Sequence, residues 1–409
     1  EEALLNESGE RLSGLKQKKE RSAFSKSLFF GVLCRRGHPS AFFFGIMTGK
    51  RGIFMFLIHG YLHTMNGSPI KDGFIEMRDG HIASVGSMAD LLNVPSDAVD
   101  LKGATVTPGF IDAHCHIGIE EDSIGPMGSD CNEATDPCTP HLRVIDAVNP
   151  RERCYSEAVD AGITSVVTCP GSANPIGGTI LAMKTVGTRV DDMVLLENAG
   201  IKFALGENPK RVYKGKNQLP STRMGTAAII REQLIKTQKY LEKKEKAAAD
   251  PSKAEPEFNM KCEALIPLLK RQVKAHFHCH RADDIYTAIR IGREFHLDYI
   301  LVHCTEGHLI AEDIAKEGVP AICGPLLTTR SKPELTNSTK ANPGVLAKAG
   351  VLTAICTDHD VIPMPLLPTS AGFAVGEGMD YEQALRAITI NPAKICKLDD
   401  RVGSLETGK

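Results

Sequence analysis

The chain has 409 residues, a formal net charge of −2 and 42% hydrophobic residues. That length supplies ample apolar surface for a large core, and α/β barrels of this size occur as single domains. The balanced charge lacks a basic stripe interleaved with aromatic residues, which argues against nucleic acid as a partner. Twelve cysteines are scattered without a CxxC pair, a pattern typical of reduced thiols in a cytoplasmic protein rather than of disulfides or a zinc knuckle.

The first 52 residues do not predict a packed domain. Two short apolar runs, 27–34 and 41–47, are separated by basic residues. Neither run approaches the roughly 20 apolar residues of a membrane span. Basic residues precede an apolar run, as in a signal peptide, but no clean cleavage site follows. We expect residues 1–52 to be a disordered or non-native extension, with the native start near Met55 and no membrane as a partner.

From residue 53 the pattern becomes that of β-strands. An alternating run over 74–78 is followed by Asp79-Gly80 and a second run over 81–85. Asp-Gly suits the positive φ values of a type I′ turn, so the pattern predicts a β-hairpin.

Beyond residue 108, apolar runs alternate with helical stretches, which favours a parallel sheet with helical crossovers. Counting the first run, five apparent strands end in a possible metal ligand or beside one. In (β/α)8 TIM barrels the catalytic residues lie at the C-terminal ends of the strands. The sequence therefore predicts an α/β fold with such a barrel. Its later strands are expected over 163–169, 201–205, 273–277, 299–302, 319–323 and 352–357.

His114 and His116 end the first of these runs, in Thr107-Pro-Gly-Phe-Ile-Asp-Ala-His-Cys-His116. Residues i and i+2 of a strand project from one face, so both imidazoles are expected to face one point. Two such imidazoles form half of a site for zinc or a similar divalent metal. Two ordinary buried histidines remain the alternative from this pair alone.

The motifs around these strand ends resemble the amidohydrolase superfamily of metal-dependent hydrolases, over roughly residues 55–409. They are TPGFIDAHCHIG, GENPKRVY, AHFHCHRADDI, YILVHCTEGH, TDHDVIP and ITINPAKICKLDDRVGSLETGK. The resemblance implies a barrel over 108–390 beside a small β-sandwich. The sandwich would begin with 53–107, and 391–409 would return toward it and be truncated there.

The resemblance also implies a set of metal ligands. Asp358 is expected both to touch the metal and to transfer protons, with His303 as a second catalytic residue. Relatives use a carboxylated lysine or a glutamate on the fourth strand, and we expect Glu207 because Lys202 lies earlier in that strand. The predicted ligands are His114, His116, Glu207, His278, His303 and Asp358.

Four further residues are expected to bind substrate. Arg223, Arg330 and Lys332 are candidate anchors for an anionic group, with loop salt bridges as the alternative. His280 lies two residues after His278, so it competes with His278 as a ligand and is otherwise expected beside the substrate.

The resemblance predicts an enzyme that cleaves a non-peptide carbon–nitrogen bond of a cyclic amide or small amide. One or two divalent ions, expected to be Zn²⁺, would activate the water. The phrasing of the motifs is most similar to imidazolonepropionase-like and dipeptidase-like members. A deaminase of the same fold, a dipeptidase and a non-catalytic barrel scaffold are the alternatives. The expected partner is a small-molecule substrate, and a homo-oligomer stays open.

Overall fold

A computed structural model describes residues 31–33, 54–122 and 124–409. Strands β1 to β6 form one sheet and β7 to β14 a second one. The first six strands are Gly31–Leu33, Phe54–Leu62, Ile70–Arg78, His81–Ser87, Val99–Asp100 and Thr105–Thr107. The other eight are Phe110–Cys115, Ile163–Thr168, Ile176–Lys184, Val194–Ala204, Lys274–Cys279, Tyr299–His303, Ala321–Cys323 and Thr353–Ile355.

The small sheet has the order β1-β6-β2-β3-β4, with β5 paired to β2. The predicted hairpin is confirmed: β3 and β4 pair around Asp79 and Gly80, whose φ values are 50° and 82°. Most of the expected extension 1–52 lies outside the described residues. Its residues 31–33 pair with β6.

C-terminal residues form hydrogen bonds with β4 at the edge of this sheet. The backbone N–H of Ile82 on β4 donates to the Lys409 carbonyl, and that of Gly408 donates to the Ile82 carbonyl. Leu405 is buried in the same cluster as Leu57 and Ile75. The last residues of the chain therefore lie against the small sheet.

The large sheet runs β14-β13-β12-β11-β10-β9-β8-β7 and forms the barrel. All its pairings are parallel except those of β9, which lies antiparallel to β8 and β10. Backbone hydrogen bonds from Asp358 to His114 and from His116 to His359 join the two ends of the sheet. The predicted (β/α)8 barrel is confirmed, and β9 occupies residues that the sequence did not identify as a strand.

The described residues contain eleven α-helices, which lie between and after these strands. The longest of them is α4, where the Thr222 side chain accepts the Gly225 N–H at the N-cap. The helices α1 to α11 are Arg153–Asp160, Val190–Met193, Glu207–Lys214, Arg223–Ala249, Met260–Leu269, Ala282–Glu294, Ala311–Glu317, Asn342–Lys348, Leu367–Gly376, Tyr381–Arg386 and Ile390–Ile395.

Buried apolar residues alternate along the barrel strands. On β12, Leu301 belongs to a cluster with Ile285 of α6, whereas Val302 belongs to a cluster with Ile111 of β7. The eleven cysteines in the described part of the chain are buried and free of disulfides. No helix among the described residues is long and apolar enough to span a membrane.

Candidate metal centre

The first histidine pair lies at the end of β7 and faces a single carboxylate oxygen. His114 and His116 are buried, and the Nε2 atom of each lies 3.4 Å from Oδ1 of Asp358. The two imidazoles thus converge as expected from their spacing on the strand.

Asp358 follows β14, where its backbone adopts φ 56°, a left-handed conformation that non-glycine residues rarely occupy. Its N–H donates to the His114 carbonyl. Burial raises the pKa of the carboxyl, but the imidazoles of His303, His114 and His116 outweigh that effect and hold the pKa well below its usual range. Asp358 is therefore ionised at neutral pH.

His303 is the last residue of β12 and also has a left-handed backbone, with φ 68°. Strand alternation alone would turn its side chain to the same side as Leu301, toward the outer helices. Instead its ring lies 5.1 Å from the His114 ring, centroid to centroid. Burial lowers the pKa of His303 to about 3, so the imidazole is neutral.

A second histidine pair, His278 and His280, lies at the end of β11. Both side chains are buried, and their ring centroids lie 4.4 Å and 4.5 Å from that of His303. Burial and the neighbouring His303 lower the pKa of both imidazoles well below the usual value. These are the neutral imidazoles that a metal ion requires.

Hydrogen bonds at Nδ1 orient two of the predicted ligands. His116 Nδ1 lies 2.7 Å from the Cys169 carbonyl, and His303 Nδ1 lies 2.8 Å from the Gly324 carbonyl. A carbonyl only accepts, so both rings carry a proton on Nδ1 and present Nε2 to the site. Metal-binding histidines typically show this second hydrogen bond.

Lys202 corrects one prediction. The expectation that it lies too early in its strand to reach the site is wrong, since its buried Nζ atom lies 3.2 Å from His114 Nε2 and 3.8 Å from Cys169 Sγ. Two residues along a strand span about 6.6 Å, which the four-carbon stem of a lysine can cover. A lone lysine within the apolar run Gly200–Ala204 was the available signal.

Cys169 also lies against the first pair, although the sequence indicated only that its thiol is reduced. Its Sγ atom is 3.4 Å from His114 Nδ1 and 3.9 Å from His116 Nδ1. Burial raises the pKa of the thiol, but His114, Lys202 and His116 outweigh it and hold the pKa well below the usual value. We call His114, His116, Cys169, Lys202 and Asp358 the β7 cluster.

Glu207 was predicted to be a metal ligand, but the structure does not bring its side chain into the site. It begins α3, and its backbone N–H donates to Glu334 Oε2 at 3.1 Å. Its side chain belongs to none of the groups of close ligand atoms that the described residues form. The carboxylate near the histidines is instead that of Glu334. This residue lies in the loop after β13 and is 1% exposed.

Glu334 faces the second histidine pair. Its Oε1 atom lies 3.5 Å from His280 Nε2 and 3.9 Å from His278 Nε2. No sequence motif singled out this loop residue. We call His278, His280, His303 and Glu334 the β11 cluster.

The structure places two of the predicted substrate anchors in ion pairs. Arg223 donates to both carboxylate oxygens of buried Asp284, at 2.9 Å and 3.0 Å. Lys332 Nζ lies 2.7 Å from Glu334 Oε1. Both residues therefore form salt bridges, which were the alternative to binding an anionic group of the substrate.

Arg330 lies on a cleft beside the β11 cluster. The cleft has a volume of about 300 Å³ and is lined by residues that include His303, Thr305 and Arg330. The guanidinium of Arg330 donates to the carbonyls of Thr336 and Ser338, and no ion pair joins it to a carboxylate of the described residues. Its positive charge is thus available at the cleft.

A family model described as the amidohydrolase family matches residues 105–409. This chain belongs to the amidohydrolase family. The resemblance stated from the sequence motifs is confirmed, and the protein is a hydrolase of that superfamily.

Three relatives illustrate the family. An amidohydrolase from Thermotoga maritima MSB8 of known structure is 40% identical, with a TM-score of 0.83, over 87% of this chain and 92% of that one. An imidazolonepropionase from Porphyromonas gingivalis is 24% identical over 86% of this chain and 83% of the relative. Amidohydrolase tasK from Hapsidospora irregularis is 26% identical over 82% of this chain, which spans only 37% of the length of that relative.

The residues present fit the divalent metal that amidohydrolases generally use. His278 Nε2 and His280 Nε2 are buried without a hydrogen-bond partner among the described residues. Of the four sets of described residues whose ligand atoms lie within 4.8 Å of one another, three contain predicted ligands. These three sets are His114 with His116 and Cys169, His278 with His280 and His303, and His114 with His303 and Asp358.

Proposed function

We propose that this protein is a zinc-dependent hydrolase of a non-peptide carbon–nitrogen bond in a cyclic amide or small amide. The convergence of His114 Nε2 and His116 Nε2 on Asp358 Oδ1, each at 3.4 Å, carries this proposal. Two imidazoles and a carboxylate that converge at one buried point are ligands that Zn²⁺ prefers. His303 would be the further ligand at this point, since its ring lies beside that of His114.

Asp358 is the proton carrier of the proposed reaction. A bound divalent ion would supply an activated water and a polarised carbonyl. Oδ1 of Asp358 faces His114 and His116, so the other oxygen, Oδ2, is left to accept the proton of the attacking water. It then delivers that proton to the leaving nitrogen, which completes the cleavage.

Arg330 supports an anionic substrate group. It lines the cleft next to His303, and its guanidinium binds only backbone carbonyls among the described residues. A planar guanidinium binds a carboxylate through two hydrogen bonds. Amides that carry a carboxylate, such as N-acyl amino acids or acidic lactams, are therefore the first substrates to test.

The test combines metal analysis with a substrate screen. Purified protein is expected to contain zinc, to lose activity on chelation and to regain it with added Zn²⁺. Hydantoins, lactams, N-acyl amino acids and dipeptides would form the panel, and ammonia release from an amino-substituted ring would indicate a deaminase instead.

His59→Ala is the matched control for variants of the site histidines. His59 lies on β2 in the small sheet and pairs at the surface with Asp72, so its loss should leave metal and activity unchanged. Full hydrolytic activity of metal-free protein would contradict the proposed function.

A further inference from the structure

A second cavity lies at the same end of the barrel as the metal centre. It has a volume of about 260 Å³, and its walls are formed by the loops that follow β7 and β8. The cleft beside Arg330 is lined mainly by residues at or after the ends of β12 and β13. In the strand order β8 and β12 lie on opposite sides of the barrel, so the two spaces flank the metal centre. We call the second space the β7–β8 cavity.

Cys131 connects this cavity to the metal centre. It lines the cavity, and its thiol forms a hydrogen bond with the His116 side chain of the β7 cluster. Its carbonyl accepts the N–H of Gly171, which lies two residues after Cys169 of the same cluster. A group bound at the metal centre therefore has the cavity beside it.

The buried residues that line the cavity form an apolar floor. The side chains of Ile119 and Val144 are buried at this floor. Gly171, Gly177 and Gly178 are also lining residues and contribute no side chain, which leaves the space open. A floor of this kind favours the burial of a hydrocarbon chain.

The polar side chains of the floor are paired with protein groups. Asn174 donates to the Thr139 hydroxyl and to the Glu133 carbonyl, and its own oxygen accepts from the Tyr213 hydroxyl. The Thr139 hydroxyl donates to the Ile176 carbonyl. In the described structure these two side chains therefore keep no unpaired donor for a polar ligand.

The charged residues that line the cavity are exposed and lie at its rim. They are Asp130, Glu133, Arg143 and Asp146. Arg143 is also paired with Asp146 and Glu197, at 3.4 Å and 3.6 Å. Three carboxylates and one paired arginine give the rim a negative balance, which disfavours an anionic group here and favours one at Arg330.

We propose that the β7–β8 cavity binds the apolar acyl chain of the substrate, and that the substrate is an acyclic N-acyl amino acid whose carboxylate binds Arg330. A compact cyclic amide would occupy only one of the two spaces. Hydrolysis would break the amide C–N bond, add hydroxide to the acyl carbon and a proton to the nitrogen, and release a carboxylic acid and an amino acid. This inference rests on the proposed function and narrows its substrate class.

A series of N-acylglycines tests the acyl chain separately from the carboxylate. N-acetylglycine, N-butanoylglycine and N-hexanoylglycine differ only in chain length. The kcat/KM of each would be measured with the zinc-loaded full chain, and its dissociation constant by calorimetry with Asp358→Asn, which should bind without appreciable turnover. Both measurements should favour N-hexanoylglycine over N-acetylglycine by at least about tenfold, since one methylene group in an apolar pocket is typically worth about that factor.

Ala147→Leu should remove this preference because it fills the cavity. Ala147 lines the cavity and is only partly buried, so the larger side chain can be accommodated without a change in the core. N-hexanoylglycine should lose its advantage, whereas N-acetylglycine should be little affected. Ala248→Leu is the matched control, since Ala248 is exposed on α4 and does not line the cavity.

Leu142→Asp provides a second variant with a different physical effect. Leu142 lines the cavity but is 38% exposed, so aspartate should leave the fold intact and place a charge beside the acyl chain. The same loss of preference is expected, with Leu92→Asp as the control because Leu92 is 95% exposed and lies outside the cavity. Arg330→Gln should weaken all three N-acylglycines by the same factor, since they share the carboxylate. Circular dichroism would establish that each variant is folded.

Equal kcat/KM values and equal dissociation constants across the series in wild type would overturn the inference. An undiminished preference in both Ala147→Leu and Leu142→Asp would also overturn it. Zinc-dependent hydrolysis of hydantoin or pyroglutamate, with no chain-length preference in hydrolysis or binding of the N-acylglycines, would overturn it and leave the proposed function intact. Hydrolysis by wild type without any metal would overturn the proposed function instead.

Discussion

The β7 and β11 clusters both begin with a His-x-His pair at a strand end, yet their surroundings differ in charge. Burial lowers the pKa of His116, but the neighbouring Cys131 and Cys169 thiols and Asp358 raise it well above the usual value. Burial and His303 instead lower the pKa of His278 and His280. One sequence pattern thus gives one pair in an anionic setting and one pair that stays neutral.

The comparison shows that the charge around a His-x-His pair depends on the carboxylate that lies beside it. In the β7 cluster, Asp358 follows β14, which adjoins β7 where the barrel closes. In the β11 cluster, the carboxylate of Glu334 comes from a loop and is shared with Lys332. We therefore expect the β7 cluster to bind an ion more tightly and to contain the proton carrier.

His114→Ala should have the largest effect. His114 contacts Asp358, Lys202 and Cys169, so its loss removes a ligand and leaves three charged or polar groups without their common partner. Tightly bound metal and hydrolysis should both fall to background, measured by metal analysis and by product formation. A variant that keeps wild-type metal content and turnover would show that the β7 cluster is not the metal centre.

Asp358→Asn should rank second. Amide for carboxylate keeps the shape but removes the base, and general acid–base groups typically contribute about 10²–10⁴-fold to turnover. We expect kcat to fall within that range while metal content stays appreciable, since His114 and His116 remain. Near-normal kcat would show that another group transfers the proton, with His280 and His303 as the first candidates.

The barrel could be predicted from the sequence because several apolar runs end in or beside a possible metal ligand. It identified His114, His116, His278, His303 and Asp358, which the structure brings together. Each lies near the end of a barrel strand or just beyond it, where strand order determines position.

Two further members of the site, Lys202 and Glu334, could not be predicted from strand positions. Lys202 reaches the site through its long side chain rather than its strand position, and Glu334 arrives through a loop whose path no periodicity encodes. Antiparallel β9 was missed because glycines at its start resemble a loop.

Cys169→Ala tests the support of the β7 cluster, with a smaller expected effect. The Cys169 thiol, with its pKa held below the usual value, places negative charge against His114 and His116. Loss of groups that support metal ligands typically weakens metal binding by about 10–100-fold. The dissociation constant, measured by competition with a chelator, should rise within that range, whereas an unchanged constant would assign the thiol to packing alone.

Thr305→Val is the corresponding change in the β11 cluster and should have the smallest effect. Valine keeps the shape of threonine but removes the hydroxyl that lies 2.7 Å from His280 Nδ1, so the ring loses the group that orients its Nε2 lone pair. His278 and His303 keep their positions, and the His303 hydrogen bond to a backbone carbonyl is untouched by any side-chain change. We therefore expect a metal ion to bind at the β11 cluster about tenfold more weakly, at the lower end of the effect typical for such supporting groups. A cobalt titration would measure this, with Thr305→Ser as the control that restores the hydroxyl and should restore wild-type affinity. Equal affinity in Thr305→Val and wild type would show that His280 is not a ligand, and that the two clusters differ more than their shared motif suggests.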